Sequence, residues 1–234
     1  MKVESIINYF DRESAEATEF RRLYSNLVGT SGGLKTVLVT SSIVEEGKTL
    51  ISSFLAMTVA EIGRGKVLLI DSDLRRPMVN VLFKMNLENG FADLLDGKLK
   101  ASEAAKATVI PNLKVITAGK ITSSPTLIMN PTRIHEVLEE LKFYYDFIII
   151  DAPPTIPVSD PLLIAPETDG TLLVVRAGST PKEVVKRACN LLSNARIKII
   201  GVVMNNCDEI LPYHYSSKYY SYKYYHKPVE KNKS

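Results

Sequence analysis

Cysteine is scarce in this chain of 234 residues, and its scarcity closes off several kinds of chemistry. Cys189 and Cys207 offer no disulfide framework and no metal-binding spacing, which predicts reduced thiols in a cytosolic protein. No apolar run approaches the roughly 18 residues needed to cross a bilayer. Met1-Lys2-Val3-Glu4 carries an early acid and no apolar core of the signal type, so export is not expected. Charge of one sign is not in excess: 29 Lys and Arg against 26 Asp and Glu leave +3, too little to argue for nucleic acid. No internal repeat is visible. The remaining composition, 45% hydrophobic and 24% charged, is that of an ordinary globular chain long enough for one α/β domain.

The apolar residues fall into short β-branched runs that alternate with helical patterns. Strands are expected at 35–40, 66–70, 113–117, 147–150, 170–175 and 198–204. Helices are expected at 48–63, 90–95, 131–144 and 181–194, with shorter ones near 76–84 and 159–165. Residues 1–13 look irregular, and a helix is expected over about 14–28, where Phe20, Leu23, Tyr24 and Leu27 recur at helical spacing. Continuous apolar strands, rather than alternating ones, imply burial on both faces. The fold class is therefore α/β, a doubly wound and mostly parallel sheet of the P-loop NTPase type, with ligands at the strands' carboxyl ends. Composition changes after Pro212, which divides the chain into a domain over 1–211 and a flexible tail over 212–234.

The chemistry concentrates at three strand ends. Val37-Leu38-Val39-Thr40 reads as a strand, Ser42-Ile43-Val44-Glu45-Glu46-Gly47 as a turn, and Lys48-Thr49-Leu50 as a helix start. This fits the phosphate-loop pattern except that Ser42 replaces the first glycine. Loop amides and the helix dipole attract phosphate oxygens, Lys48 adds a cation, and the Thr49 hydroxyl can ligate Mg²⁺. Asp71 and Asp73 follow the second strand and Asp151 follows the fourth. Asp151 is either a metal carboxylate or an acid that caps the turn before Pro153-Pro154. Asp71 and Asp73, one residue apart, would repel unless a cation shares them. On an extended chain both side chains point into one site, where one acid can hold Mg²⁺ and the other accept a proton. Arg75 and Arg76 either neutralise an acid or the nucleotide, or begin a solvated helix. A nucleoside triphosphate with Mg²⁺ is the ligand these groups require.

Those residues resemble a known family. The phosphate loop, Leu69-Ile70-Asp71-Ser72-Asp73-Leu74-Arg75-Arg76-Pro77 and Ile149-Ile150-Asp151-Ala152-Pro153-Pro154 together are similar to the bacterial tyrosine kinases. The likeness continues through Val158-Ser159-Asp160, Thr168-Asp169-Gly170, Val174-Val175-Arg176-Ala177-Gly178 and Gly201-Val202-Val203-Met204-Asn205. It implies a cytoplasmic, ATP-dependent protein-tyrosine kinase that regulates capsular or extracellular polysaccharide synthesis and export. By this likeness residues 42–50 and Lys48 hold ATP, and Thr49, Asp73 and Asp151 support Mg²⁺. Asp71 is the candidate base, and Asn205 meets the adenine.

The family further implies a carboxyl-terminal tyrosine cluster phosphorylated by neighbouring subunits, and a separate transmembrane activator that recruits the kinase to the membrane's inner face. Tyr213, Tyr215, Tyr219, Tyr220, Tyr222, Tyr224 and Tyr225 supply that cluster here. Extended, such a tail reaches on the order of 70 Å. Relatives build a homo-oligomeric ring through an early helix bearing a Glu and two Arg. Glu19, Arg21 and Asn26 are the counterparts, with Glu19 one position off and Tyr24 in place of the second arginine. The loop also departs from the family's Pro-Gly-Glu-Gly-Lys, reading Val44-Glu45-Glu46-Gly47-Lys48. A positive φ at Glu45 would strain the backbone by about 1–2 kcal/mol. The rival reading is a partitioning or site-placing ATPase that switches without phosphorylating protein. Such proteins carry an extra lysine in the loop where this chain has Ile43, and no nucleic-acid partner is expected.

Overall fold

Short runs of Val, Ile and Leu that are apolar at every position must be covered on both faces, so they pair into one sheet and take helices above and below. The computed structural model describes residues 5–30, 33–62, 65–121 and 124–207, and all structural statements concern these. The strands are β1 (Thr36–Ser41), β2 (Val67–Asp71), β3 (Lys106–Ala107), β4 (Leu113–Ile116), β5 (Phe147–Asp151), β6 (Gly170–Arg176) and β7 (Ile199–Asn205). Their order across the sheet is β3-β4-β2-β5-β1-β6-β7. Only β3 runs antiparallel to its neighbour; the other pairings are parallel.

The helices are α1 (Ala15–Thr30), α2 (Lys48–Ile62), α3 (Val79–Phe83), α4 (Phe91–Leu95), α5 (Ala101–Ala104), α6 (Pro125–Ile128), α7 (Pro131–Tyr144), α8 (Asp160–Ile164) and α9 (Lys182–Asn194). Successive strand residues feed two separate cores. Val37, Val39, Phe147 and Ile149 pack with Leu55 and Val59 of α2 and Leu27 of α1. Leu38, Ile148 and Ile150 pack on the other side with Ile134, Leu138 and Leu141 of α7 and Leu192 of α9. This alternation is the two-residue period of a strand read through a sheet with no wet face. The Ser14 hydroxyl caps α1 by accepting from the Ala17 amide at 3.0 Å. Aromatic contacts seat that helix: Phe20 stacks on Phe54 at 5.5 Å and Tyr24 meets Phe147 edge-on at 5.7 Å.

The doubly wound sheet matches the fold class read from the chain, and the differences are local. A 3₁₀ turn occupies Ile6–Tyr9, where irregular chain was expected, because Ile6 is buried against the α1–α3 side of the core. Helix α1 continues past Gly29 to Thr30. β3, α5 and α6 were not anticipated; elements of two to four residues are too short to show a period. The tail tyrosines Tyr213, Tyr215, Tyr219, Tyr220, Tyr222, Tyr224 and Tyr225, and the boundary at 211–212, lie outside the described residues.

Register decides where the site forms. Asp151 stands opposite Asp71 on one side and opposite Val39 on the other, so the ends of β1, β2 and β5 open on one edge of the sheet. No helix among the described residues is long and apolar enough to cross a membrane.

Candidate active site

β1 ends at Ser41 and α2 starts at Lys48, so the loop between them reverses the chain in little space. Glu45 and Gly47 both adopt positive φ, 64° and 91°. At Gly47 a side chain is doubly excluded, because a Cβ would also fall 2.1 Å from Asn205 Nδ2. The strain anticipated at Glu45 is present. Glu45→Gly should relieve it and, after the added entropy of the unfolded chain, stabilise the protein by about 1 kcal/mol. A denaturant midpoint that does not rise, at unchanged slope, would contradict this.

The loop is pinned from inside. Glu46 is buried, and its carboxylate accepts from the Ile43 amide at 2.8 Å and from the Thr180 hydroxyl at 2.5 Å. Its carbonyl accepts from Asn205 Nδ2 at 3.0 Å. The Ser41 hydroxyl donates to the Ile43 carbonyl at 2.7 Å. Ser42 Oγ is buried with no hydrogen-bond partner among the described residues.

Lys48 faces the acids. Its Nζ lies 3.0 Å from Asp73 Oδ2 and 3.5 Å from Asp151 Oδ2. Burial alone would depress its pKa, but the Asp151 and Asp73 carboxylates outweigh burial and raise it, so the ammonium stays charged. The Thr49 hydroxyl donates to Asp151 Oδ2 at 2.7 Å, and the Ser52 hydroxyl lies 3.0 Å from Asp151 Oδ1. Asp151 is fully buried; desolvation raises its pKa although Lys48, Thr49 and Ser52 oppose the shift.

The two acids after β2 lie near the same ammonium but take different hydrogen-bond partners. The backbone bends after Asp71, and Leu74 N–H donates back to the Ser72 carbonyl at 3.0 Å. Asp71 then turns inward, accepting from the amides of Asp73 at 3.1 Å, Met78 at 3.1 Å and Val79 at 3.0 Å. Desolvation and the facing Asp151 push its carboxyl from the ordinary 3.8 up to about 8. Asp71 is fully buried and accepts three backbone amides, so in this geometry it organises the loop. Asp73 is the acid of the pair that opens on the cleft.

That cleft has a volume of about 650 Å³. Val44, Leu50, Met78, Leu82, Pro153, Pro154, Pro157 and Val158 form its apolar walls, around Glu45, Gly47, Lys48, Thr49, Asp73, Arg75 and Arg76. Arg75 is consumed by a two-pronged pair with Asp160, at 2.9 and 3.1 Å, and also reaches Thr126 at 3.2 Å. Asn205, expected near the base of a nucleotide, stands against the loop at Gly47. Glu19, Arg21 and Asn26 lie elsewhere, on α1. There Glu19 pairs with Arg22, while Arg21 donates to Thr18 Oγ1 and the Arg12 carbonyl.

The donor set suits Mg²⁺. Thr49 Oγ1, Asp73 and Asp151 are hard oxygen ligands beside a phosphate loop, and this ion keeps water and phosphate oxygens for its remaining positions. The described residues contain no cluster of three His, Cys, Asp or Glu able to enclose an ion by themselves.

The model of an AAA domain family matches residues 44–168, which includes the loop from Val44 onward and both later strand ends. The putative tyrosine-protein kinase CapB of Staphylococcus aureus is 32% identical, over 90% of this chain and 91% of that protein. The chain belongs to the bacterial tyrosine kinase family. In three dimensions it is similar to the kinase domain of Escherichia coli tyrosine kinase ETK, with a TM-score of 0.80 and 27% identity over 88% and 81% of the two chains. The septum site-determining protein MinD of Pyrococcus horikoshii, complexed with Mg-ADP, aligns less closely. Its TM-score is 0.63 at 23% identity, over 73% of this chain and 69% of that one, which shows a shared fold and no more. The ATPase reading is thus a distant relation of this bacterial tyrosine kinase.

Several functional groups of this kinase escaped the sequence reading. Ser52 could have been found, since it lies one helical turn beyond Lys48 on the same face. Thr180 and the pairing of Arg75 with Asp160 had no local signal.

Proposed function

We propose that this kinase transfers the γ-phosphoryl of ATP to tyrosine hydroxyls, and that the tail tyrosines from Tyr213 to Tyr225 are its own acceptors on a neighbouring subunit. The observation that carries this is the apolar cleft against Lys48 and Asp73. Phosphate groups and water need no walls of Val44, Leu50, Met78 and Val158, whereas a phenol ring does.

In this reading the loop Ser42–Gly47 and the start of α2 receive the phosphates, and Lys48 leaves its carboxylates for the outer two. Asn205 borders the base. Thr49, Asp73 and Asp151 hold Mg²⁺, which supplies neutralisation of the charge growing on the phosphate oxygens. The acceptor oxygen bonds to the γ-phosphorus as the bond to the β,γ-bridging oxygen breaks, and ADP leaves with that electron pair. The phenolic proton passes to Asp73, which opens on the cleft. A loose transition state asks little of a base, so positioning and charge supply most of the rate.

Assembly through the exposed face of α1, with Glu19, Arg21 and Asn26, brings a neighbour's tail within reach and accounts for phosphorylation between subunits. A transmembrane activator, recruitment from the cytoplasm to the membrane's inner face and control of polysaccharide export complete the proposal. Radiolabelled ATP should mark the full chain and leave a chain truncated after Cys207 unmarked. Release of phosphate with no label on protein would select the switch ATPase instead.

A further inference from the structure

We propose that Arg76 selects the acceptor. It binds a phosphate already carried by a tyrosine two positions from the one entering the cleft, so that modification of the tail primes itself. The inference rests on the kinase reading above and deepens it.

Among the described residues each cation on the cleft wall has a partner except one. Lys48 is held by Asp73 and Asp151, and Arg75 by Asp160 and Thr126. Among the described residues the Arg76 side chain makes no ion pair and no hydrogen bond, although it lines the cleft. Its backbone is fixed where it matters: the Arg76 amide donates at 3.0 Å to Oδ1 of Asp73, whose other oxygen meets Lys48. An unpaired guanidinium beside the transfer point, over apolar walls, is a ready fork for a doubly charged oxyanion.

The tail itself shows which anion it is. From Tyr213 to Lys227 the chain holds Lys218, Lys223 and Lys227 and no Asp or Glu. The unmodified cluster therefore has nothing to offer Arg76. A phosphate added to one tyrosine creates the first anion in the stretch, with a charge of about −1.5 to −2. Spacing then selects its partner. On an extended peptide, side chains two residues apart project to the same side roughly 7 Å from each other. Tyr213 with Tyr215, Tyr220 with Tyr222, and Tyr222 with Tyr224 have that spacing. When Tyr222 enters the cleft, a phosphate on Tyr220 points toward the same wall.

Peptides of residues 218–223 test this with Tyr222 as sole acceptor, Tyr219 replaced by Phe, and position 220 carrying Phe, Glu or phosphotyrosine. The full chain is assayed at saturating ATP·Mg²⁺, with peptide in excess over its own tail. The phosphotyrosine peptide is expected to show a kcat/KM about tenfold above the Phe peptide, with Glu between them. In Arg76→Gln this ratio should fall below about 3, and Arg76→Lys should restore part of it. Equal use of the three peptides by the wild type overturns the proposal, as does a ratio that survives in Arg76→Gln. A raised KM for ATP in that variant, with the peptide ratio intact, would assign Arg76 to the nucleotide and overturn it too. If no peptide and no tail is labelled while ATP is bound, the kinase reading falls and takes this inference with it.

Discussion

Lys48→Met is expected to remove phosphoryl transfer, lowering kcat/KM by at least about 10³-fold, or roughly 4 kcal/mol of transition-state stabilisation. The ammonium is the cation of the phosphate loop, and its neighbours keep it charged. In its absence Asp73 and Asp151 face an incoming polyanion with no positive group between them. Methionine keeps the length and apolar stem of the side chain, so α2 and its packing should survive. Single-turnover labelling with circular dichroism as the control for folding checks this. Label persisting at the wild-type rate would remove Lys48, and with it the assigned loop, from the mechanism.

Asp151→Asn should separate activity from stability, in opposite directions. Asp151 and Asp71 face each other across adjacent strands, both fully buried, and burial raises the pKa of each. A carboxyl whose folded pKa is raised binds its proton more tightly in the folded state. Its contribution to stability is complete below the unfolded value of 3.8 and is lost as pH climbs toward about 8. Asparagine resembles the protonated acid, still accepts from Thr49, and removes the charge that raises Asp71. The variant is therefore expected to be about 1–2 kcal/mol more stable than wild type at pH 8, with the gap closing near pH 4. Its transfer rate should nonetheless fall about 10²–10³-fold, because the carboxylate beside Thr49 that we propose holds Mg²⁺ is gone. Chemical denaturation at both pH values, paired with labelling kinetics, provides the check. A variant less stable at pH 8 would mean that the Lys48 pairing outweighs desolvation.

The conflict between these two effects explains the cost carried at this edge of the sheet. Buried carboxylates and a left-handed Glu45 are poor choices for a stable fold. They are good choices for the proposed site, which would receive a cation and a polyanion together.

Much of this was legible in the chain. The runs at Val37, Val67 and Phe147 announced buried parallel strands, because only a sheet covered on both faces tolerates apolar residues at every position. Gly47-Lys48-Thr49 between a strand and a helix announced the phosphate loop, and even the strain at Glu45 followed from its departure from the family's glycine. These features depend on neighbours in sequence, and local backbone chemistry dictates them. The amides that Asp71 accepts from were not legible, since a bend at Ser72 brings Met78 and Val79 back to it. Nor was the pairing of Glu46 with Thr180, 134 residues away, or that of Arg75 with Asp160, 85 residues away. Which side chains meet across such separations depends on strand order and register, set by the joint packing of both cores. Local pattern therefore determined the kind of site, and tertiary packing alone decided which acid opens on the cleft and which of its arginines is paired there.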